Sequence, residues 1–313
     1  MKKKTILITG GSGYIGTNVR EHLNQNYSVF VPGHRELDLV DSTAVERYFK
    51  THRIDVVINC AVVGGSRAEE HVGGSVATNL RMFFNLVRSR KYFKKMIHLG
   101  SGAEYDKSRF LRSVSEDDFG KRVPADDYGF YKYVCGQYIE NSADNIVNLR
   151  IFGLFGPGED YRLRFISNML VRSVLGMPLE MNQDAYFDYV YIKDFVRIVE
   201  HFIQYSGKYR SYNIGTGKRV RLSAIAQKMR DISGTKKPIT IKKKGLNKEY
   251  TCDATRLLSE LGGFQFTDFN EALRELYKWY NFLFQSFPRK RESMREEILN
   301  TGSRVKPGMT NKS

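Results

Sequence analysis

The chain has 313 residues, with 50 Lys and Arg against 34 Asp and Glu, a formal charge of +16, and 41% hydrophobic residues. That apolar content supports one large buried core, alone or with a smaller partner domain, while no apolar run approaches the ~20 residues of a membrane-spanning helix. Seven Lys/Arg and three Glu fall in residues 286–313, so +4 sits in the tail and +12 is spread over the rest; apart from Lys236-Lys237 and Lys242-Lys243-Lys244 there is no basic stripe, which excludes a nucleic-acid-binding face and leaves a solvated surface that attracts anionic substrates.

The start, Met1 to Thr5, is basic, but the apolar run behind it has the length of a strand and no signal-peptide cleavage pattern follows. A cytoplasmic protein is expected. Cys60, Cys135 and Cys252 are widely spaced and odd in number, as suits a reducing compartment. The six histidines share no metal-ligand spacing, so no metal is expected.

Thr5–Thr9 reads as a buried strand, and Gly10-Gly11-Ser12-Gly13-Tyr14-Ile15-Gly16 as the turn into a helix at Tyr14–Leu23. Gly10 and Gly11 permit the turn, Gly13 leaves room for a phosphate at the helix N-terminus, and Gly16 lets the helix lie close to the strand. The spacing fits G-x-G-x-x-G, the signature of a dinucleotide site. Further strands are expected at Ser28–Val31, Val56–Asn59, Met96–Leu99 and Val147–Ile151, and helices at Ser42–His52, Ser75–Arg90 and Tyr128–Ser142. Alternation of this kind predicts a doubly wound parallel sheet with helices on both faces and a ligand crevice at the strands' carboxyl ends.

After Gly156-Pro157-Gly158 the alternation breaks down. Helices are expected at Phe165–Leu175, Lys193–Gln204, Leu222–Ser233 and Phe269–Phe284, with strand-like pieces at Tyr212–Ile214 and Ile239–Lys242. This predicts a dinucleotide-binding domain over 1–158, a smaller mixed α/β substrate lobe over 159–285 whose strands can return to the main sheet, and a disordered tail over 286–313.

Tyr128 and Lys132 are four residues apart and share a helix face. An ammonium beside a phenol stabilises phenolate, which equips a tyrosine to give or take a proton near neutral pH. Ser101, ending a strand at the crevice, is placed to hydrogen-bond the same oxygen. With glycine turn, Ser101 and Tyr128-x-x-x-Lys132 in this order, the chain resembles the extended short-chain dehydrogenase/reductases, the NAD(P)-dependent nucleotide-sugar epimerase/dehydratase group. Asn59-Cys60-Ala61, Asn79, Leu149-Arg150 before Gly156-Pro157, Tyr212-Asn213-Ile214-Gly215 and Asp253…Arg256…Leu261-Gly262 extend the resemblance over Lys4 to Phe284.

The resemblance implies a Rossmann domain in which Tyr128 is the general acid/base, Lys132 tunes it and holds the nicotinamide ribose, and Ser101 binds the reacting oxygen. Around the cofactor it places Gly10, Gly13, Tyr14, Ile15, Gly16, Asp38, Leu39, Cys60, Ala61, Val62, Asn79, Phe152 and Leu154. At the end of the second strand, His34 and Arg35 stand where a carboxylate would hold the 2′-hydroxyl of NAD, which favours the 2′-phosphate of NADP(H) over NAD(H). The pattern is nearest to enzymes that make GDP-fucose, through Arg35 to Asp41 and Val63-Gly64-Gly65.

The departures are as informative. The cysteine and histidine with which those enzymes epimerise appear here as Ala103 and Arg164, neither able to replace that acid/base pair; the Asp-Glu of the dehydratases appears as Gly102 and Ala103. Gly153 stands for an Asn and Phe187 for an Arg of the substrate's diphosphate clamp, leaving Arg162, Arg164 or Arg221 as replacements. The expectation is hydride delivery from NADPH to a 4-keto group of a nucleotide-linked sugar, with protonation by Tyr128, in cell-surface polysaccharide sugar synthesis by a homodimer that pairs Ser75–Arg90 and Tyr128–Ser142. A 4-epimerase that keeps its NAD bound is the alternative reaction, and a non-catalytic NADP(H) sensor or interaction protein the alternative of another class.

Overall fold

The computed structural model describes residues 3–64, 73–142 and 145–304; Met1, Gly65 and residues 305–313, named above, lie outside them. In chain order the elements are β1 (Thr5–Thr9), α1 (Tyr14–Leu23), β2 (Ser28–Phe30), α2 (Ser42–Thr51), β3 (Val56–Asn59), α3 (Ser75–Arg88), β4 (Lys95–Ser101), β5 (Leu111–Val114), α4 (Asp127–Asn141), β6 (Ile146–Ile151) and β7 (Leu154–Phe155). Then come α5 (Phe165–Val174), β8 (Leu179–Asp184), β9 (Tyr186–Phe187), β10 (Val190–Tyr191), α6 (Ile192–Gln204), β11 (Ser211–Ile214) and β12 (Val220–Arg221). The last are α7 (Leu222–Ser233), β13 (Ile239–Leu246), β14 (Tyr250–Cys252), α8 (Thr255–Leu261), α9 (Phe269–Ser286) and α10 (Pro288–Arg304).

The chain divides into two compact units, each built from three stretches: residues 1–154, 185–221 and 247–266 in the first, and 155–184, 222–246 and 267–313 in the second. The first holds a six-stranded sheet in the order β11-β6-β4-β3-β1-β2, parallel at every pairing, the Rossmann-like doubly wound arrangement. β4 is buried at every position, as a strand covered on both faces must be. Leu7, Val57 and Met96 pack with Val45 and Phe49 of α2, Phe83 and Leu86 of α3, and Cys135 and Ile139 of α4, while α1 and α6 pack together and against β1 and β4. The chain leaves β1 for β2 on one side and β3 on the other, so the crevice opens at the carboxyl ends of β1 and β3.

β11 returns to the main sheet beside β6, and a smaller sheet in the order β12-β9-β14-β5 joins the first unit. Asn213 also ties β11 to the segment around β5: its side-chain amide donates to Val114 O at 3.0 Å and its backbone N–H donates to Glu116 at 2.7 Å, bonds between segments a hundred residues apart that no local pattern reports. In the second unit α5 packs on α7 and α9, and β13 pairs in parallel with β8. Part of the expected unstructured tail is helical instead. Residues 288–304 form α10, which packs on α9 and buries Met294 and Ile298, two apolar side chains four residues apart in a largely polar segment. Among the described residues no helix is long and apolar enough to cross a membrane, and no His/Cys/Asp/Glu group has metal-binding geometry.

Candidate active site

The glycine turn has the shape its spacing predicts. Gly10 adopts φ +65° and sits so close to the loop after β3 that a Cβ there would lie 2.7 Å from Ala61 N and Cα. Gly16 is buried where α1 crosses this turn, and a Cβ on it would lie 2.6 Å from Gly11 Cα. Gly13 is exposed. It begins α1 with no side-chain cap and no acidic residue in the first turn, so the positive end of the helix faces outward with nothing of its own to neutralise it. Tyr14 and Ile15 are half-buried in the same turn, and Val62 is exposed just beyond Cys60 and Ala61. These features fit a diphosphate at this turn.

After β2, the Gly33–Leu37 turn exposes His34, Arg35 and Glu36. His34 Nε2 is 3.7 Å from Asp38 Oδ1, whose carboxylate also accepts the Val40 N–H at 2.9 Å, and Leu39 is buried behind it. Both acidic and basic groups therefore border this turn. Asn79 turns its amide to the backbone: it accepts from Val63 N–H and donates to Val63 O and Ser75 O at 2.8–2.9 Å. It pins the loop after β3 to α3. Asn59 likewise accepts from Thr9 Oγ1 at 2.8 Å and donates to His98 Nδ1 at 3.1 Å, an internal link between three strands.

Helix α4 is capped by Asp126, whose carboxylate accepts the Gly129 N–H at 3.0 Å. Gly129 packs so tightly that a Cβ on it would lie 2.9 Å from Ala103 O, which holds the first turn of α4 against the segment after Ser101. Tyr128 is half-exposed and Lys132 buried, with Lys132 Nζ 6.0 Å from the Tyr128 ring centre. Lys132 donates to Leu99 O, two residues before Ser101. On another approach, Lys107 Nζ lies 5.6 Å from the Tyr128 ring centre and 3.2 Å from Asp126. Ser101 caps a short 3-10 turn over Gly102–Tyr105, accepting the Ala103 N–H at 3.1 Å. One lone pair is thus occupied, and the hydroxyl proton is left to donate.

Around this centre Gly102 lies under Phe152 and Tyr250; a Cβ on it would lie 2.6 Å from the Tyr250 hydroxyl and 2.9 Å from the Phe152 ring. Phe152, Tyr250 and Phe187 follow at 5.0 and 5.8 Å between ring centres, and Phe187 stacks on Tyr189 at 5.5 Å. Gly153 faces Asp188 O and the Tyr189 ring, with Leu154 half-buried beside it. The wall beside Ser101 is therefore aromatic and nearly uncharged.

In the β12–β9 pair Arg221 stands opposite Tyr186 and Val220 opposite Phe187, so by strand alternation Arg221 and Phe187 point to opposite faces; Arg221 lies 5.9 Å from the Tyr186 ring. Arg162 and Arg164 belong to the second unit. There Arg162 forms a two-point pair with Asp160 at 2.9 and 3.0 Å and faces Glu297 of α10 at 3.7 Å, while Arg164 is exposed at the start of α5.

Three groups next to this site escaped the sequence reading. Tyr250 arrives from β14 and Tyr189 from the link between β9 and β10, and neither carries a local signal. Glu104 did carry one: Ser101-x-x-Glu104 has capping-box spacing. Its side chain is fully buried and accepts the Ser101 N–H at 2.9 Å and Arg150 Nε at 2.7 Å. Asp188 is also fully buried, accepting from Thr216 N and Oγ1 and from Gly217 N at 2.6–2.9 Å; burial pushes its carboxyl up and these bonds oppose the shift.

Solved structures of similar architecture include a UDP-glucose 4-epimerase from Thermotoga maritima, 23% identical over 90% of this chain and 99% of that one, with a TM-score of 0.77. A GDP-mannoheptose C4 reductase from Campylobacter jejuni with NADP bound is 19% identical over 90% and 99%, with a TM-score of 0.76. A GDP-L-fucose synthetase from Naegleria fowleri is 17% identical over 91% and 95%, with a TM-score of 0.76. At these identities the likeness is one of fold. A family model, however, matches residues 6–215, from β1 to the turn after β11, and the chain belongs to the NAD dependent epimerase/dehydratase family.

Proposed function

We propose that the protein is an NADP(H)-dependent reductase of a nucleotide-linked sugar that acts on a 4-keto group. One observation carries the reading: Ser101 has a hydroxyl proton to donate, next to a Tyr128–Lys132 pair on α4, while the two positions of a second acid/base pair are Ala103 and Arg164. A bound nicotinamide supplies the hydride. Ser101 donates to the substrate's carbonyl oxygen and polarises it, and Tyr128 gives that oxygen its proton as negative charge develops there. Lys132, fixed by Leu99 O, stabilises the resulting phenolate. The aromatic wall of Phe152, Phe187 and Tyr250 excludes water and offers apolar surface to a deoxygenated sugar.

The exposed turn at Gly10–Gly13 and the outward end of α1 would hold the cofactor diphosphate, and His34 and Arg35 the 2′-phosphate. Two of the solved relatives support this cofactor and substrate class: one carries NADP, and both it and the fucose synthetase are named for GDP-sugars. A cytoplasmic homodimer through α3 and α4 belongs to the same proposal.

The test is loss of NADPH absorbance across a panel of GDP- and UDP-linked 4-keto-6-deoxy sugars. Turnover with NADPH exceeding that with NADH is expected, and Tyr128→Phe should lower kcat by about 100-fold or more with cofactor affinity unchanged. No oxidation of NADPH with any member of the panel would sink the reading. Protein that purifies with tight, stoichiometric NAD and interconverts 4-epimers would replace it with the epimerase, a reaction for which the same three residues suffice. A Tyr128→Phe protein with full biological activity would replace it with a non-catalytic role.

A further inference from the structure

Beneath Ser101 lies a buried charge pair that the proposed chemistry does not use. Both side chains of Glu104 and Arg150 are 0% exposed, and they meet at 2.7 Å between Arg150 Nε and Glu104 Oε2. Asn148 Nδ2 donates to Glu104 Oε2 at 3.1 Å, and the Ser101 N–H donates to Oε1 at 2.9 Å. The three groups bonded to the carboxyl are donors, as an acceptor-only carboxylate requires; burial pushes its pKa up and the Arg150 guanidinium opposes that shift. The guanidinium is completed by Glu140 at 3.0 Å and by the Phe119 ring, whose centre is 3.9 Å away.

Room for this carboxylate is made by two glycines on other elements. A Cβ on Gly136 of α4 would lie 2.6 Å from Glu104 Oε2, and one on Gly100 of β4 would collide with both Glu104 and Asn148. Gly136 follows Lys132 by four residues and Lys132 follows Tyr128 by four, so all three share one face of α4. One carboxylate therefore touches the strand end that bears Ser101, the helix face that bears Tyr128 and Lys132, and the two polar side chains of β6.

We propose that Glu104 is a positioning residue: held by Arg150 and Asn148 against Gly136, it fixes the Ser101 backbone and so aims the Ser101 hydroxyl at the oxygen that Tyr128 protonates. A buried pair of this kind adds little net stability, because desolvation offsets the attraction. Its value here is geometric, since reacting groups tolerate displacements well under 1 Å.

The inference rests on the reading of Ser101 as hydroxyl donor, and its test separates the two. Glu104→Gln keeps size and one acceptor and leaves Arg150 with Glu140; Glu104→Asp keeps the charge but withdraws it from Ser101 and serves if the first variant folds poorly. Each is made alone and with Ser101→Ala. Alone, kcat is expected to fall about 10- to 100-fold with the cofactor KM unchanged; in the Ser101→Ala background the same substitution should change kcat less than about twofold. Equal losses in both backgrounds, or an undiminished kcat, overturn the positioning role. If Ser101→Ala by itself leaves kcat unchanged, the serine's catalytic role fails, and the Glu104 proposal, which acts through that hydroxyl, falls with it. In protein that turns over no substrate, the amide proton of Ser101 decides by NMR: its resonance moves upfield in Glu104→Gln if the carboxylate holds it, and an unmoved resonance overturns the proposal.

Discussion

Substituting two glycines of the phosphate turn separates packing from binding. A Cβ on Gly16 would lie 2.6 Å from Gly11 Cα and closer still to Gly10 O, so α1 must back away from the turn by about 0.8 Å or more to reach ordinary contact. Both obstacles are backbone and cannot rotate aside. Overpacking of this kind costs about 1–3 kcal/mol, and at roughly 2 °C per kcal/mol for a chain of this length Gly16→Ala should lower Tm by roughly 2–6 °C. Gly13 offers the contrast. Its φ is −75°, and a Cβ there meets only Gly10 O, at 3.4 Å, so Gly13→Ala should leave Tm within about 1 °C. The new methyl, however, stands at the open end of α1, and NADPH should bind about tenfold more weakly or worse, about 1.4 kcal/mol. Thermal unfolding without ligand reads the first effect and calorimetric titration of NADPH the second. Native affinity in Gly13→Ala would remove the diphosphate from this turn, and an unchanged Tm in Gly16→Ala would refute the packing argument.

Two further outcomes concern the second unit. Glu159 is buried and accepts from Ser167 Oγ at 2.6 Å, and burial pushes its carboxyl up to about 8. The unfolded chain loses this proton first, so its contribution is fully present below about pH 4.5 and lost as pH rises through about 8; Tm measured across that range should fall with pH, and Glu159→Gln should flatten the decline. An identical slope in the variant contradicts the assignment. Ending the chain after Ser286 removes Met294 and Ile298 from the surface of α9, which should lower Tm by a few degrees and leave a folded protein; loss of the cooperative transition would show that α10 is indispensable.

What the sequence made legible is what local periodicity and short motifs encode. The alternation of apolar runs with helical spacing located β1, β3, β4 and β6, and the glycine spacing located the turn into α1. Tyr128 and Lys132 were readable because a helix puts four-residue neighbours on one face. Glu104 was half readable: its capping-box spacing to Ser101 is local, but its partners on β6 and the space left by Gly100 and Gly136 exist only after strands and helix assemble. Which face Arg221 occupies depends on its register with β9, and one carboxylate partner of Arg162 comes from α10, facts that no local spacing reports. The pairing of β11 with β6 and the bonds from Asn213 to Val114 and Glu116 join distant segments, a long-range fact that composition does not carry.

The interleaving of the two units bears on how the protein is made. The chain passes from one unit to the other at residues 154/155, 184/185, 221/222, 246/247 and 266/267, so no single cut yields either unit as a continuous fragment. On the ribosome the stretch through β6 can pair its parallel strands as it emerges, since those contacts are sequential. The strand β5 must wait, because its partner β14 is synthesised some 140 residues later. Until residues 247–266 leave the exit tunnel, the edge of β5 stays without its neighbour. A nascent chain stalled before that point should therefore be more exposed to proteases and to mispairing than one stalled just after it.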